Sequence, residues 1–200
     1  MMVEPVTPKQ RRITLSGIAI SAPVTALVWY LLLQSLPAPP ARDPQVIAMQ
    51  CCAIAALLAL VPGVEAIAHE RLFTAAIDPL AGVETHRMRV NFRYLSNTLE
   101  QFVVFAAGLL ALSAYVAPRI LVIATIVWVL ARWAFWIGYH VGPLMRGLGA
   151  PGMLQSMIVL LYAAYRFGSD AYGQSVGIAL LVIFGLIEAI LFWGVTRRAQ

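Results

Sequence analysis

The sequence predicts an all-α membrane protein, and three observations carry that reading. Of its 200 residues, 61% are hydrophobic and only 12% are charged, whereas soluble domains carry about 25% charged residues. The apolar residues gather into long segments separated by short breaks rich in proline, glycine or charge. The few polar residues inside those segments recur at helical spacing.

A helix needs about 20 apolar residues to cross the bilayer core, and six segments emerge in order. The first, Ile13 to Leu36, contains Pro23 and stops at Pro37-Ala-Pro-Pro40. Its length and the lack of a small-residue cleavage site mark it as a retained span, not a signal peptide. The second runs from Gln45 to His69, with a predicted kink at Pro62-Gly63. A polar stretch from Glu70 to Met88 follows, with Asp78-Pro79 and Gly82 as turn signals. The third spans Arg89 to Tyr115 and is closed by Ala117-Pro118; the fourth spans Arg119 to Gly142. The fifth, Gly152 to Phe167, is short and is predicted to break at Gly168-Ser-Asp170. The sixth covers Tyr172 to Val195, and no internal repeat is present.

Charge sets the predicted orientation. With six spans both termini share a side, and that side collects ten of the basic residues: Lys9, Arg11, Arg12, Arg71, Arg87, Arg89, Arg93, Arg146, Arg197 and Arg198. The other side has three, Arg42, Arg119 and Arg166. Basic residues concentrate on the cytoplasmic side, so both termini are expected there. The net charge of +5 is thus assigned to membrane edges, and nucleic acid is not expected as a partner because no long basic run exists. Trp29, Tyr30, Tyr115, Tyr172 and Trp193 fall near predicted span ends, as belt aromatics do. Cys51 and Cys52 are adjacent on one helix, so their side chains diverge by about 100° and they read as small packing residues.

The chemistry concentrates in two stripes. Arg93, Asn97 and Glu100, four and seven residues apart, share one face of the third segment. A charge inside a membrane helix costs about 2.5 kcal/mol or more and faces a partner or a wet cavity. Arg93 and Glu100 stand two turns apart, about 10 Å along the axis, so another helix or a polar ligand should bridge them. On the fourth segment Arg132, Phe135 and Tyr139 fall at i, i+3 and i+7. Arg146 would extend that stripe if the helix continued through Gly142-Pro143, where proline removes a backbone donor. Arg132 lies deeper than the others and is expected to meet a carboxylate, Glu100 being the candidate. His86 and His140 lack ligand-like spacing, and no metal site is expected.

These two stripes resemble the membrane-associated eicosanoid and glutathione metabolism family (MAPEG), which includes microsomal glutathione transferases and leukotriene synthases. Arg93, Asn97 and Glu100 match its Arg-x3-Asn-x2-Glu, and Arg132, Phe135, Gly138, Tyr139 and Arg146 follow its Arg-x2-Tyr-x2-Gly-Tyr-x6-Arg. Glu70-Arg71-Leu-Phe73 loosely matches a basic end of the first core helix. Departures are Phe135 for a tyrosine, Gln101 where leukotriene-type members have tyrosine, Leu95 where they have glutamine, and Glu70 for an arginine.

The resemblance implies a four-helix core at 45–167, with an additional transmembrane helix at 13–36, another at 172–195, and cytoplasmic tails at 1–12 and 196–200. It implies a homotrimer in the lipid bilayer, of the bacterial inner-membrane kind, binding glutathione between protomers at the cytoplasmic end. Arg93, Asn97, Glu100, Arg132 and Tyr139 would hold the tripeptide. Arginine forks suit its carboxylates, and Glu100 suits its amino group. Arg146 would be catalytic, lowering the thiol pKa to favour the nucleophilic thiolate, and a lipophilic small-molecule substrate would arrive through the bilayer. The implied activity is that of a glutathione transferase or peroxidase. The alternative is a non-catalytic lipid-binding or scaffold relative, in which Asn97 and Glu100 are an interhelical polar clamp and Arg87 and Arg89 are interfacial anchors. A small transporter with Arg132 and Glu100 as a coupling pair is a third reading, disfavoured by the lack of repeat halves.

Overall fold

The computed structural model describes residues 7–198 except 79 and 81. Pro79 of the predicted turn, the ends of both tails and the side chains of Arg197 and Arg198 lie outside what is described. Among the described residues the regular structure is helical throughout: α1 (Pro8–Ser35), α2 (Pro44–Ala55), a π-helical turn (Ala56–Leu60), α3 (Val61–Leu72), a 3-10 turn (Ala75–Ile77), α4 (His86–Leu112), α5 (Pro118–Val141), α6 (Pro143–Gly147), α7 (Ala150–Tyr172) and α8 (Gln174–Arg198). Five stretches are long and apolar enough to cross a membrane: Lys9–Ser35, Pro44–Leu72, His86–Leu112, Pro118–Val141 and Gln174–Gly194. The more polar α7 packs on α4, α5 and α8 as a sixth helix of comparable length. The chain is an all-α integral membrane protein.

Local chemistry places the helix ends. Thr7 and Gln10 form a capping box on α1, and the Asp43 carboxylate accepts the Gln45 N–H at 2.8 Å to start α2. At the start of α4 the Thr85 hydroxyl accepts from the Met88 N–H at 3.1 Å and donates to the Glu70 carboxylate at 2.8 Å. Glu70 therefore pins the loop between α3 and α4.

The second crossing changes helical register where Pro62 interrupts its ladder, with a π turn over Ala56–Leu60 just before it. Proline has no N–H for the carbonyl four residues back, and the π turn just before it shifts the register further. The Trp133 indole on α5 donates to the Leu58 carbonyl at 2.8 Å, and the Tyr94 hydroxyl on α4 donates to the Ala59 carbonyl at 2.7 Å. In lipid a backbone acceptor must be met from within the protein, so this interruption is joined to α4 and α5.

The core lies between α2, α4 and α5. Phe105 stacks on Trp128 with ring centroids 4.7 Å apart, among Ala48, Cys51, Ala55, Leu109 and Leu121. Cys51 is buried there and Cys52 is half-buried, both unbridged.

One expectation is corrected. The fifth helix does not break at Gly168-Ser-Asp170 but continues to Tyr172, ending where Gly173 turns to φ +94°. Gly168 serves instead as a contact surface, since a Cβ there would meet the Gly177 backbone of α8 at 3.0 Å. Small residues let membrane helices approach closely. The Trp29 indole donates at 3.0 Å to Gln155 of α7, which in turn donates to the Ala124 carbonyl of α5 at 2.7 Å.

Candidate functional site

The two polar stripes meet where α4 faces α5, but only part of each takes part. Arg132 is buried, 1% exposed, and fixed by two acceptors. One guanidinium nitrogen donates to the Asn97 side-chain carbonyl at 3.3 Å, another to the Gly149 main-chain carbonyl at 2.7 Å. Gln101, one turn beyond Asn97, donates to the same Asn97 oxygen at 3.1 Å. The guanidinium lies 4.9 Å from the Phe135 ring centroid and 6.0 Å from that of Trp128. Its Nε has no partner among the described residues.

The expected pairing of Arg132 with Glu100 is not formed. Its acceptors are an amide and a main-chain carbonyl, while Glu100 is exposed. The reason is angular. Gln101 lies about 40° to one side of Asn97 on the helix circumference, whereas Arg93 and Glu100 lie about 40° and 60° to the other. The stripe therefore splits into an inner edge that meets Arg132 and an outer edge that does not. Arg93 stands exposed beside a hollow of about 270 Å³ that it shares with Glu84, Arg89 and Phe92.

Gly142, at φ +153°, ends α5, and the chain reverses into α6. Arg146 thus does not extend the α5 stripe as a continuous helix would. The reversal still brings its guanidinium to 5.9 Å from the Tyr139 ring centroid, and Tyr139 packs edge-on against Phe135 at 4.9 Å. Arg132, Arg146, Gln101 and Phe135 line one cavity of about 180 Å³, together with Thr14 and Ile18 of α1. Among the described residues, two arginines and no carboxylate face that space, which suits an anion.

The structure thus groups Asn97, Arg132, Tyr139 and Arg146 around one end of α5 and leaves Arg93 and Glu100 on the outer surface of α4. Sequence reading missed Gly149, whose carbonyl holds Arg132, and α1, which contributes Thr14 to the cavity wall. A main-chain acceptor carries no side-chain signature. Gln101 was noticed only as a departure, although its i+4 spacing from Asn97 was the available clue. A second polar hollow, of about 310 Å³, lies between α3, α4 and α5 and is lined by His69, Glu70, Arg87, Asn91, Trp136 and His140. There the Trp136 indole donates to Asn91 at 3.0 Å and stacks on Tyr94 at 4.8 Å.

The sequence pattern of the MAPEG family matches residues 22–168, from within α1 to near the end of α7. No curated protein and no solved structure matches the chain.

Proposed function

We propose, from the premise that this chain belongs to the MAPEG family, that it binds glutathione and uses it on lipophilic electrophiles as a transferase or peroxidase. One observation carries the reading. Arg93 and Glu100 are opposite charges on the same exposed face of α4, beside the exposed apolar residues Leu99 and Val103, with no ion-pair partner among the described residues. Exposed charges on a membrane helix call for a polar ligand or a neighbouring subunit. A zwitterionic tripeptide supplies both complements, a carboxylate for Arg93 and an ammonium for Glu100.

In this reading Asn97 and Arg132 position the site, and Tyr139 and Arg146 face the sulfur. A guanidinium near the thiol favours the thiolate. In conjugation that thiolate forms a carbon–sulfur bond while either a halide leaves carbon as the anion with the bonding electron pair, or a strained ring C–O bond breaks and the retained oxygen takes a proton. In reduction two glutathione molecules supply two electrons to a hydroperoxide, giving the alcohol, water and glutathione disulfide. A homotrimer would bring a neighbouring protomer against the outer face of α4, with both termini cytoplasmic.

The test is calorimetric titration of purified protein with glutathione, paired with turnover of 1-chloro-2,4-dinitrobenzene and a lipid hydroperoxide. The expected result is saturable binding, weakened by Arg93→Ala and Glu100→Ala, with turnover lost in Arg146→Ala. Absence of binding, or full turnover in Arg146→Ala, sinks the idea.

The closed bonding of Asn97, Gln101 and Arg132 within one protomer supports a second reading, a non-catalytic lipid-binding or scaffold protein. It expects Asn97→Ala to lower the melting temperature in detergent, with no response to glutathione in the wild type or the variant.

A further inference from the structure

A large hollow lies between α1 and α7 and adjoins, at one end, the arginine cavity of the glutathione site proposed above. It is a groove of about 680 Å³, within the usual range of about 300–1,000 Å³ for ligand sites. Its two walls are held apart by clamps at each end. At one end Gly17 and Gly147 bring α1 against α6: a Cβ on Gly147 would lie 2.7 Å from the Thr14 carbonyl, and one on Gly17 would strike the Leu144 carbonyl. At the other end Trp29 is bonded to Gln155, and Arg119 donates to the Leu33 carbonyl. Between the clamps α1 presents only small side chains, Ser21, Ala22, Thr25 and Ala26, so the gap stays open.

The groove wall is chemically apolar despite its polar residue names. The Ser21 hydroxyl donates to the Ile18 carbonyl at 2.6 Å, and Gln155 is bonded on both sides. From Ile18 to Trp29 the groove runs about 16 Å at 1.5 Å per residue, and one leaflet of the hydrocarbon core is about 15 Å deep. At its inner end Ile18 and Ala150 also line the cavity that holds Arg132 and Arg146. The α1 residues leading to that mouth, Lys9, Arg11 and Arg12, are exposed, and neither they nor Arg146 has an ion-pair partner among the described residues.

An apolar slot one leaflet deep thus opens at a cluster of unneutralised cations. Basic pockets between membrane helices bind anionic head groups. We infer that this groove binds an anionic bilayer phospholipid, with one acyl chain between α1 and α7 and the phosphate toward Arg146 and the basic start of α1. The inference goes beyond the glutathione reading and shares only Arg146 and Arg132 with it. A resident lipid would occupy the arginine cavity from the bilayer side.

The experiment is native mass spectrometry of the full chain released from vesicles of equal phosphatidylglycerol and phosphatidylcholine. The wild type is expected to retain one phosphatidylglycerol per chain in preference to phosphatidylcholine. The double variant Ala22→Trp/Ala26→Phe fills the slot and should cut retention about tenfold by excluding the acyl chain. Val24→Trp, on α1 but outside the groove lining, should leave it unchanged and controls for folding. Arg146→Gln should lower the preference for phosphatidylglycerol about fivefold, the scale for one basic residue at a membrane surface. Equal retention of the two lipids by the wild type, unchanged retention in the slot-filled variant, or recovery of a single-chain fatty acid in place of phospholipid would each overturn the inference. Calorimetry with glutathione on the wild type, set beside its lipid retention, separates the two readings. Glutathione binding without lipid selection refutes the lipid site alone, and lipid selection without glutathione binding refutes the glutathione reading alone.

Discussion

The two edges of a single polar stripe on α4 behave differently. The inner edge, Asn97 and Gln101, is bonded inward: Gln101 and Arg132 both donate to the Asn97 oxygen and Arg132 donates to the Gly149 carbonyl, while the Gln101 Oε1 and the Arg132 Nε are buried without a partner among the described residues. The outer edge, Arg93 and Glu100, is open, with both side chains exposed. These four residues span about 100° of helix circumference. A modest rotation therefore separates groups that hold the protomer together from groups available to something else. Removing a partner from a buried polar network is costly, so the inner edge should govern stability and the open edge should govern binding.

The hardest test of that contrast is Gly149→Val. A Cβ there would overlap Phe135 and come within 3.0 Å of the Ala131 carbonyl, neither of which is a flexible side-chain tip. Separation of α7 from α5 should cost about 1–3 kcal/mol, read as a lower melting temperature in detergent, with Arg132 losing an acceptor. Next comes Asn97→Leu, which removes the acceptor shared by Arg132 and Gln101. A hydrogen bond to a charged group contributes about 1.5–3 kcal/mol, so thermal stability should fall by about that much, whether or not glutathione is present. Gln101→Leu should cost less, about 0.5–1.5 kcal/mol for one neutral hydrogen bond. The smallest stability change is expected for Arg93→Ala/Glu100→Ala, within about 0.5 kcal/mol as for other exposed positions, while calorimetric affinity for glutathione drops. A large loss of stability in that double variant would erase the distinction between the edges.

Much of the fold was legible because hydropathy is a local property. The runs Gln45 to His69 and Arg119 to Gly142 read directly as crossings, and the observed Pro44–Leu72 and Pro118–Val141 helices end within a few residues of them. The family was legible because Arg93, Asn97, Glu100, Arg132, Tyr139 and Arg146 keep its order and spacing, and its pattern covers residues 22–168. What escaped was anything set by an interhelical distance. Gly168 looks like a breaker in sequence and is a packing surface in space. Arg132 looks in need of a carboxylate and is instead met by an amide and a carbonyl seventeen residues away. The docking of α1 on α6 rests on Gly17 and Gly147, residues with no side chain to announce a partner.

The interrupted helix at Pro62 bears on how the molecule is made. The second crossing leaves the ribosome before α4 and α5 exist, and its Leu58 carbonyl has no helical N–H from residue 62 to meet it. Trp133 and Tyr94, which bond the Leu58 and Ala59 carbonyls, lie in segments synthesised later. A bare carbonyl in hydrocarbon costs several kcal/mol, so the newborn span should linger at a hydrated site until its partners arrive. Order of insertion, as well as final packing, is thereby written into one proline.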